Sequence, residues 1–394
     1  MATKHATLSA SGAKRWMSCP PSARLEQQFP NETSEYAKEG SHAHAIADLR
    51  LGRQIANSIK PSAFKKKLAE LQANPMYSAE MGDYVDDYVS QVSEIYMAAK
   101  TKYPSTLALL EQKLDYSKWV PKGFGTGDVV IVSDGAIEVI DLKYGKGVPV
   151  SAENNPQMRL YGLGAIDTYE MLYDFSVVRM TIIQPRLDSI STEEMTVQEL
   201  LAWAENEVVP KAKQAFAGEG EFCAGDHCQF CRARYTCRAR AEENLKLAQY
   251  EFKQPHLLDH TEIAEILGKI AELQKWTKDV DDYALDQAVN HGVKFPGWKL
   301  VEGRSNRKIP DDNITAAADV LVANNYPDAD IHKPKELLGI TALEKLVGKK
   351  KFGELLSDLI IKPAGKPTLA PESDKRPEIS SVASAEDDFN SVLD

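Results

Sequence analysis

The chain has 394 residues, 43% hydrophobic and 27% charged, an ordinary balance with enough apolar mass for one large domain with appendages or for two domains. A formal net charge of −11 argues against a protein that coats nucleic acid nonspecifically, although local patches decide binding more than the sum does. No run is long and apolar enough to span a bilayer and the polar N-terminus lacks a signal-peptide core, so a cytoplasmic setting with no membrane partner is expected.

In chain order, the first motif is Ser9-Ala10-Ser11 leading to Trp16-Met17-Ser18-Cys19-Pro20, a short helix that Pro20 and Pro21 stop near the cysteine. A lone cysteine such as Cys19 is most often a buried apolar residue. Residues 39–49 read as a helix carrying Gly40, His42 and His44; helical geometry turns the two histidines apart, and the plain reading is an exposed pair. Residues 82–99 form an amphipathic helix with Val85, Tyr88, Val89, Val92 and Tyr96 on its apolar stripe, which reads as core packing and not as chemistry. The sheet begins over 107–114, where Glu111 is either an exposed strand residue or a neighbour of a site.

Two β-branched runs, 129–132 and 137–140, flank Ser133-Asp134-Gly135 and predict a hairpin. Asp128 is placed at the start of the first strand. Asp141 closes the second, and alternation puts Lys143 on the same face as Asp141. Two carboxylates and a lysine at one sheet edge suit a hard divalent cation next to a phosphate. Tyr144-Gly145-Lys146-Gly147 makes a turn, and Asn155-Pro156 opens a helix with Gln157 and Tyr161 on one face. By spacing alone these two are a capping glutamine and a core tyrosine. Residues 175–184 are a strand ended by Pro185. Thr196 and Glu199 make a capping box for a helix that runs towards Gly218 and the cysteines.

Four of the five cysteines fall between Cys223 and Cys237, a distribution that suits metal better than a disulfide framework. Cys228-x-x-Cys231-x-x-x-x-x-Cys237 can chelate a single ion or a cluster, and the fourth ligand comes from Cys19, Cys223 or His227. Arg232, Arg234, Arg238 and Arg240 surround the thiols, either offsetting a cluster's charge and contacting phosphates or forming a solvated basic helix. Residues 262–288 are a long helix whose stripe, Ile263 to Trp276, is a partner surface or packs back on the first domain. Trp298 with Arg304, Arg307 and Lys308 suits a DNA-strand contact. Short helices follow over 316–324, 337–347 and 352–360, with 349–351 as a solvated basic turn. From 362 onward prolines and an acidic tip indicate an extended or disordered tail. The expected division is 1–245, 246–361 and 362–394.

The ordered set Gly125-x-x-Asp128, Asp141-x-Lys143 and Gln157-x-x-x-Tyr161 resembles the RecB-type branch of the PD-(D/E)XK nuclease superfamily over roughly the first 240 residues. The resemblance implies an α/β fold: a central mixed sheet of restriction-endonuclease type flanked by helices, with a mainly helical C-terminal region. It implies Mg²⁺ or Mn²⁺ held by His44 (through Gly40-x-x-x-His44), Asp128, Asp141 and the carbonyl of Leu142, with Glu111 as a further candidate. Lys143 would position the attacking water and stabilise charge, and Gln157 and Tyr161 would orient phosphate and lysine. Iron–sulfur members of that branch imply a [4Fe–4S] cluster on Cys19, Cys228, Cys231 and Cys237, with Cys223 spare. Zn²⁺ on Cys223, Cys228, Cys231 and Cys237 is the competing reading. The segments from Gly297 to Arg304 and from Lys366 to Pro377 resemble an uncharacterised family of phage and prophage proteins. Together these imply a DNA exonuclease of phage replication or recombination, acting on ends or single strands beside single-strand-binding or recombination proteins. A non-catalytic DNA-binding scaffold and a zinc-stabilised interaction factor are the alternatives.

Overall fold

Strands β1 (Leu107–Asp115), β2 (Phe124–Ser133) and β3 (Gly135–Leu142) run as an antiparallel meander. Strand β4 (Phe175–Gln184) joins β3 in parallel, and β5 (Ser189–Thr196) returns antiparallel to β4, giving the order β1-β2-β3-β4-β5. The parallel step needs a crossover, which is α6 (Pro156–Tyr169). This computed structural model describes residues 6–30, 34–56, 58–246, 258–299 and 348–356, with isolated positions 315, 319, 340, 343 and 359. None of the described helices is long and apolar enough to cross a membrane.

Alternation along the strands feeds two cores. Val130, Val132, Ile137, Val139, Val178 and Met180 pack against α6, α1 (Ala13–Ser18) and the helical run of α7 (Val197–Trp203), a π-helical turn (Ala204–Val208) and α8 (Val209–Ala217). Val129, Ile131, Ile140 and Leu142 pack on the other face against α3 (Glu35–Gln54) and α5 (Ala79–Lys102). The chain is thus a sheet between two helical layers, with α2 (Ser22–Leu25) and α4 (Pro61–Gln72) at the margins.

Several expected elements form as read. The stripe of α5 is buried, Asn155 caps α6 by accepting from Gln157 and Met158 N–H, and the Thr196–Glu199 capping box opens α7. Other details differ. Asp128 sits inside β2, not at its start, because Phe124 to Gly127 already pair with β1. His42 is buried, with Nε2 3.0 Å from the Leu71 carbonyl, and so is not half of an exposed pair. Strand β5 escaped the sequence reading because its alternating polar residues lie at a sheet edge.

Two more helices follow the cysteines: α9 (Arg238–Leu245) and the long α10 (His260–Asn290). Arg240 donates to Glu272 at 2.7 Å and to Asp279 at 2.6 Å, and Tyr235 stacks on Tyr283, so polar and aromatic contacts fasten α10. No residue of α10 is buried, and Ile263, Leu267 and Ile270 remain exposed. The basic run at 349–351 is not a turn; it opens α11 (Lys349–Leu356), three residues before the start expected at 352. There Lys350 N–H points at Asp83 of α5, an acceptor suited to a helix N-terminus, and Phe352 is buried. The helices expected over 316–324 and 337–347 fall almost wholly outside the described residues. Arg304, Arg307, Lys308 and the 362–394 tail lie outside them entirely, whereas Trp298 is described and exposed.

Gly125 marks a close approach between sheet and crossover helix: a Cβ there would lie 2.6 Å from Tyr161 Cε1. Gly125→Ala is therefore expected to lower stability by about 1–3 kcal/mol in urea denaturation. An unchanged midpoint would show that Tyr161 yields freely.

Candidate functional site

Strands β2 and β3 pair as far as Val129↔Ile140 and then part, and the candidate site occupies that fork. The β1–β2 ladder lapses at the same level: Leu110↔Val129 and Gln112↔Gly127 pair, but Glu111 and Asp128 between them do not. Glu111 has φ 49°, in the left-handed region unusual for a residue with a side chain. Gly125 and Gly127 present their Cα hydrogens to Tyr161 and Leu114 on the α6 side, and Val130 also faces that side. Alternation therefore slips between Asp128 and Val129, and both face the α3 layer. A local ladder break of this kind re-aims a side chain.

Asp128 consequently reaches α3. Its Oδ1 lies 3.1 Å from His44 Nδ1, and its Oδ2 accepts the Leu142 N–H at 2.7 Å. Ligand atoms of His44, Glu111 and Asp128 all lie within 4.8 Å of one another. Among the described residues no other group of three His, Cys, Asp or Glu is so close. They line a cleft of about 10 Å³ with Asp48, Tyr88 and Leu142, room for one water-sized occupant.

The electrostatics follow from crowding four carboxylates. Glu111 is exposed at the rim, yet partial loss of water, followed by the charges of Asp128 and Asp48, pushes its carboxyl up to about 7. Burial, then Asp128, also raises Asp48, with Lys67 opposing. At His44 burial works against the imidazolium, but the Asp128 hydrogen bond and the charges of Asp128 and Asp141 outweigh it and leave the pKa raised. One imidazole and two carboxylates from α3, β1 and β2 make a donor set for a divalent cation of the Mg²⁺ or Mn²⁺ kind, which would neutralise this charge.

A second constellation adjoins it. Asp141, 3% exposed, has Lys143 Nζ 2.7 Å from Oδ2 and accepts from Gln157 Nε2 at 3.3 Å on Oδ1. Lys143 thus pairs with Oδ2 in a close ammonium–carboxylate contact, and Gln157 with Oδ1. Lys143 Nζ donates to Gln157 Oε1 at 3.1 Å, and Gln157 Nε2 lies 3.4 Å from Tyr161 Oη. Burial raises the Asp141 pKa, Lys143 opposes, and Asp128 adds to the rise.

Of the residues singled out from sequence, the structure thus joins His44, Asp128 and the Leu142 main chain in one cluster, and Asp141, Lys143, Gln157 and Tyr161 in its neighbour. Tyr161 meets Lys143 through Gln157. Glu111 belongs to the first cluster. Asp48 has only a faint sequence signal, at i+4 from His44, and Tyr88, which the periodicity assigns to core packing on its stripe, also lines the cleft.

All five cysteines are free thiols lining one cavity of about 20 Å³, together with Arg15, Ser22, His227, Arg234 and Arg240. The N-terminal turn is tied to it: Cys223 N–H points at Cys19 Sγ at 3.5 Å, and Arg232 N–H donates to Glu26 at 2.8 Å. Cys223 is exposed, and His227 spends Nε2 on the Cys223 carbonyl at 2.9 Å. Burial raises the thiol pKa of Cys19 and Cys228 and pushes Cys231 up to about 11. Two buried polar atoms in this wall, Ser22 Oγ and Arg240 Nη2, have no partner among the described residues. Arg240 is paired with Glu272 and Asp279 through Nε and Nη1, so its Nη2 adds one further cationic N–H to the wall that the thiols line. Among the described residues no three of these sulfurs lie within 4.8 Å of one another.

Residues 5–377 match the family described as "Protein of unknown function (DUF2800)", and the chain belongs to that family. A solved structure titled "Crystal structure of SSO0001" matches at 16% identity, covering 56% of this chain and 95% of that one, with a TM-score of 0.22. Likeness at that level carries no argument about fold or chemistry.

Cation binding here requires ionised Glu111 and neutral His44, and both groups are raised. Mn²⁺ affinity in calorimetry should therefore climb as pH rises from 6 to 8, with proton release. Glu111→Gln should flatten that rise; a profile flat in the parent protein would contradict the assignment.

Proposed function

We propose that the chain is a metal-dependent DNA nuclease with the PD-(D/E)XK fold of the RecB branch, hydrolysing phosphodiester bonds as an exonuclease on DNA ends or single strands. The observation that carries this reading is the convergence of His44, Glu111 and Asp128 within 4.8 Å at a strand fork flanked by the Asp141–Lys143 pair. The sheet order and the α6 crossover are compatible with that fold.

His44, Glu111 and Asp128 would hold Mg²⁺ or Mn²⁺, with Asp141 and the Leu142 main chain beside them. The cation, when bound, supplies Lewis acidity at a phosphoryl oxygen and acidifies water. Lys143, fixed between Asp141 and Gln157, presents a positive charge where negative charge develops on the phosphate. Gln157 holds that lysine and the Asp141 carboxylate in register, and Tyr161 steadies Gln157 from the core. Preorganisation matters because donors that need no rearrangement stabilise the transition state more than the ground state.

Cys19, Cys228, Cys231 and Cys237 would hold a [4Fe–4S] cluster that fastens the N-terminal turn to the end of the domain, closing a loop of about 200 residues without redox chemistry. Phage single-strand-binding or recombination proteins are the proposed partners, in the bacterial cytoplasm. Domain limits at 245 and 361 belong to the same proposal.

Asp141→Ala and Lys143→Ala should each lower cleavage of single- or double-stranded DNA by at least about 100-fold with folding largely kept. Activity should need Mg²⁺ or Mn²⁺ and vanish in EDTA. Equal rates for variants and parent would remove the catalytic assignment. Anaerobically purified protein should be brown with broad visible absorbance; a colourless protein with one stoichiometric zinc would decide for the zinc reading.

A further inference from the structure

Tyr88 lies on the buried stripe of α5 and is 1% exposed. Its stripe neighbours Val85, Val89 and Val92 are apolar, and phenylalanine would pack there with no polar atom to satisfy. A buried hydroxyl without a partner gives up its bonds to water for nothing. Yet among the described residues Tyr88 Oη has no hydrogen-bond partner, and Tyr88 lines the cleft formed by His44, Asp48, Glu111 and Asp128. Burial, and then the charges of Asp128, Asp141 and Glu111, hold the phenolic proton firmly on. The hydroxyl therefore lies within the field of the carboxylates as a neutral group able both to donate and to accept.

We propose that the missing partner of Tyr88 Oη is a single water that fills the cleft as a ligand of a divalent cation held among His44, Glu111 and Asp128, and that Tyr88 is a positioning residue that hydrogen-bonds this water. The inference rests on reading His44, Glu111 and Asp128 as a cation site. A neutral phenol is a poor direct ligand beside carboxylates, and hard cations of the Mg²⁺ class keep several of their waters, so an outer contact is the natural role. It also explains why Tyr88 carries a hydroxyl at this position, whereas the stripe's Tyr96 has Lys100 to satisfy its own.

The test compares the full-length protein with Tyr88→Phe and with Tyr96→Phe, a stripe tyrosine bonded instead to Lys100 at 2.8 Å. Two quantities are read: the thermal midpoint without metal and the Mn²⁺ dissociation constant by calorimetry. Tyr88→Phe should leave the metal-free midpoint unchanged or raised while weakening Mn²⁺ about tenfold, the scale of losing an outer-shell partner. Tyr96→Phe should leave the Mn²⁺ affinity as it is. Equal Mn²⁺ affinity in Tyr88→Phe and parent would overturn the role of the hydroxyl alone. So would a lower metal-free midpoint in Tyr88→Phe, whatever its affinity, because it would mark an ordinary structural bond. A parent protein with no Mn²⁺ site that Asp128→Asn abolishes would instead bring down the cation site itself.

Discussion

The geometry of the site depends on one hydrogen bond, from the Leu142 N–H to Asp128 Oδ2 at 2.7 Å. Where the β2–β3 ladder stops, a side chain takes over from the backbone and keeps the two strand ends in register. Without it the Leu142 amide would be a buried donor lacking an acceptor, a loss of about 1–3 kcal/mol. The same carboxylate turns its other oxygen to His44. A single aspartate thereby joins three elements: the α3 helix, the β2 strand and the end of β3.

That arrangement requires the sheet to be imperfect at one level. A regular strand would send Asp128 to the α6 face, away from His44. The lapse opposite Glu111, with its left-handed backbone, redirects it, and the two cores on either side hold the irregularity in place. The same fork lets Asp141, on the α6 face, approach the cluster from the other side, bringing Lys143 and Gln157. Crowded acids are the electrostatic consequence: Glu111 and Asp141 are both raised, and each would be relieved by a cation.

Much of this was legible in the sequence. The hairpin, the α6 start at Asn155-Pro156 and the α5 stripe follow from turn chemistry and periodicity, which are local. His44, Asp128, Asp141, Lys143 and Gln157 were legible as a set through motif order. What stayed hidden depends on contacts between distant segments. Strand β5 is polar because it is an edge, so it lacks the apolar signature of a strand. Glu111 was in view as an exposed strand residue or a neighbour of the site, but the backbone break that places it is encoded by no propensity. Tyr88 is indistinguishable in sequence from Tyr96 on the same stripe; only its unpaired oxygen and the cleft beside it set it apart. Arg240 looked like one of four basic surface residues and is in fact 1% exposed, wedged between α10 and the cysteines.

The account stands most directly on where a cation sits. Crystals of the full-length protein soaked in Mn²⁺ and measured near the manganese absorption edge would locate it without reference to activity. The account predicts an anomalous peak between His44, Glu111 and Asp128. Crystals whose manganese lies elsewhere, or that show none in the fork at millimolar Mn²⁺, would contradict it.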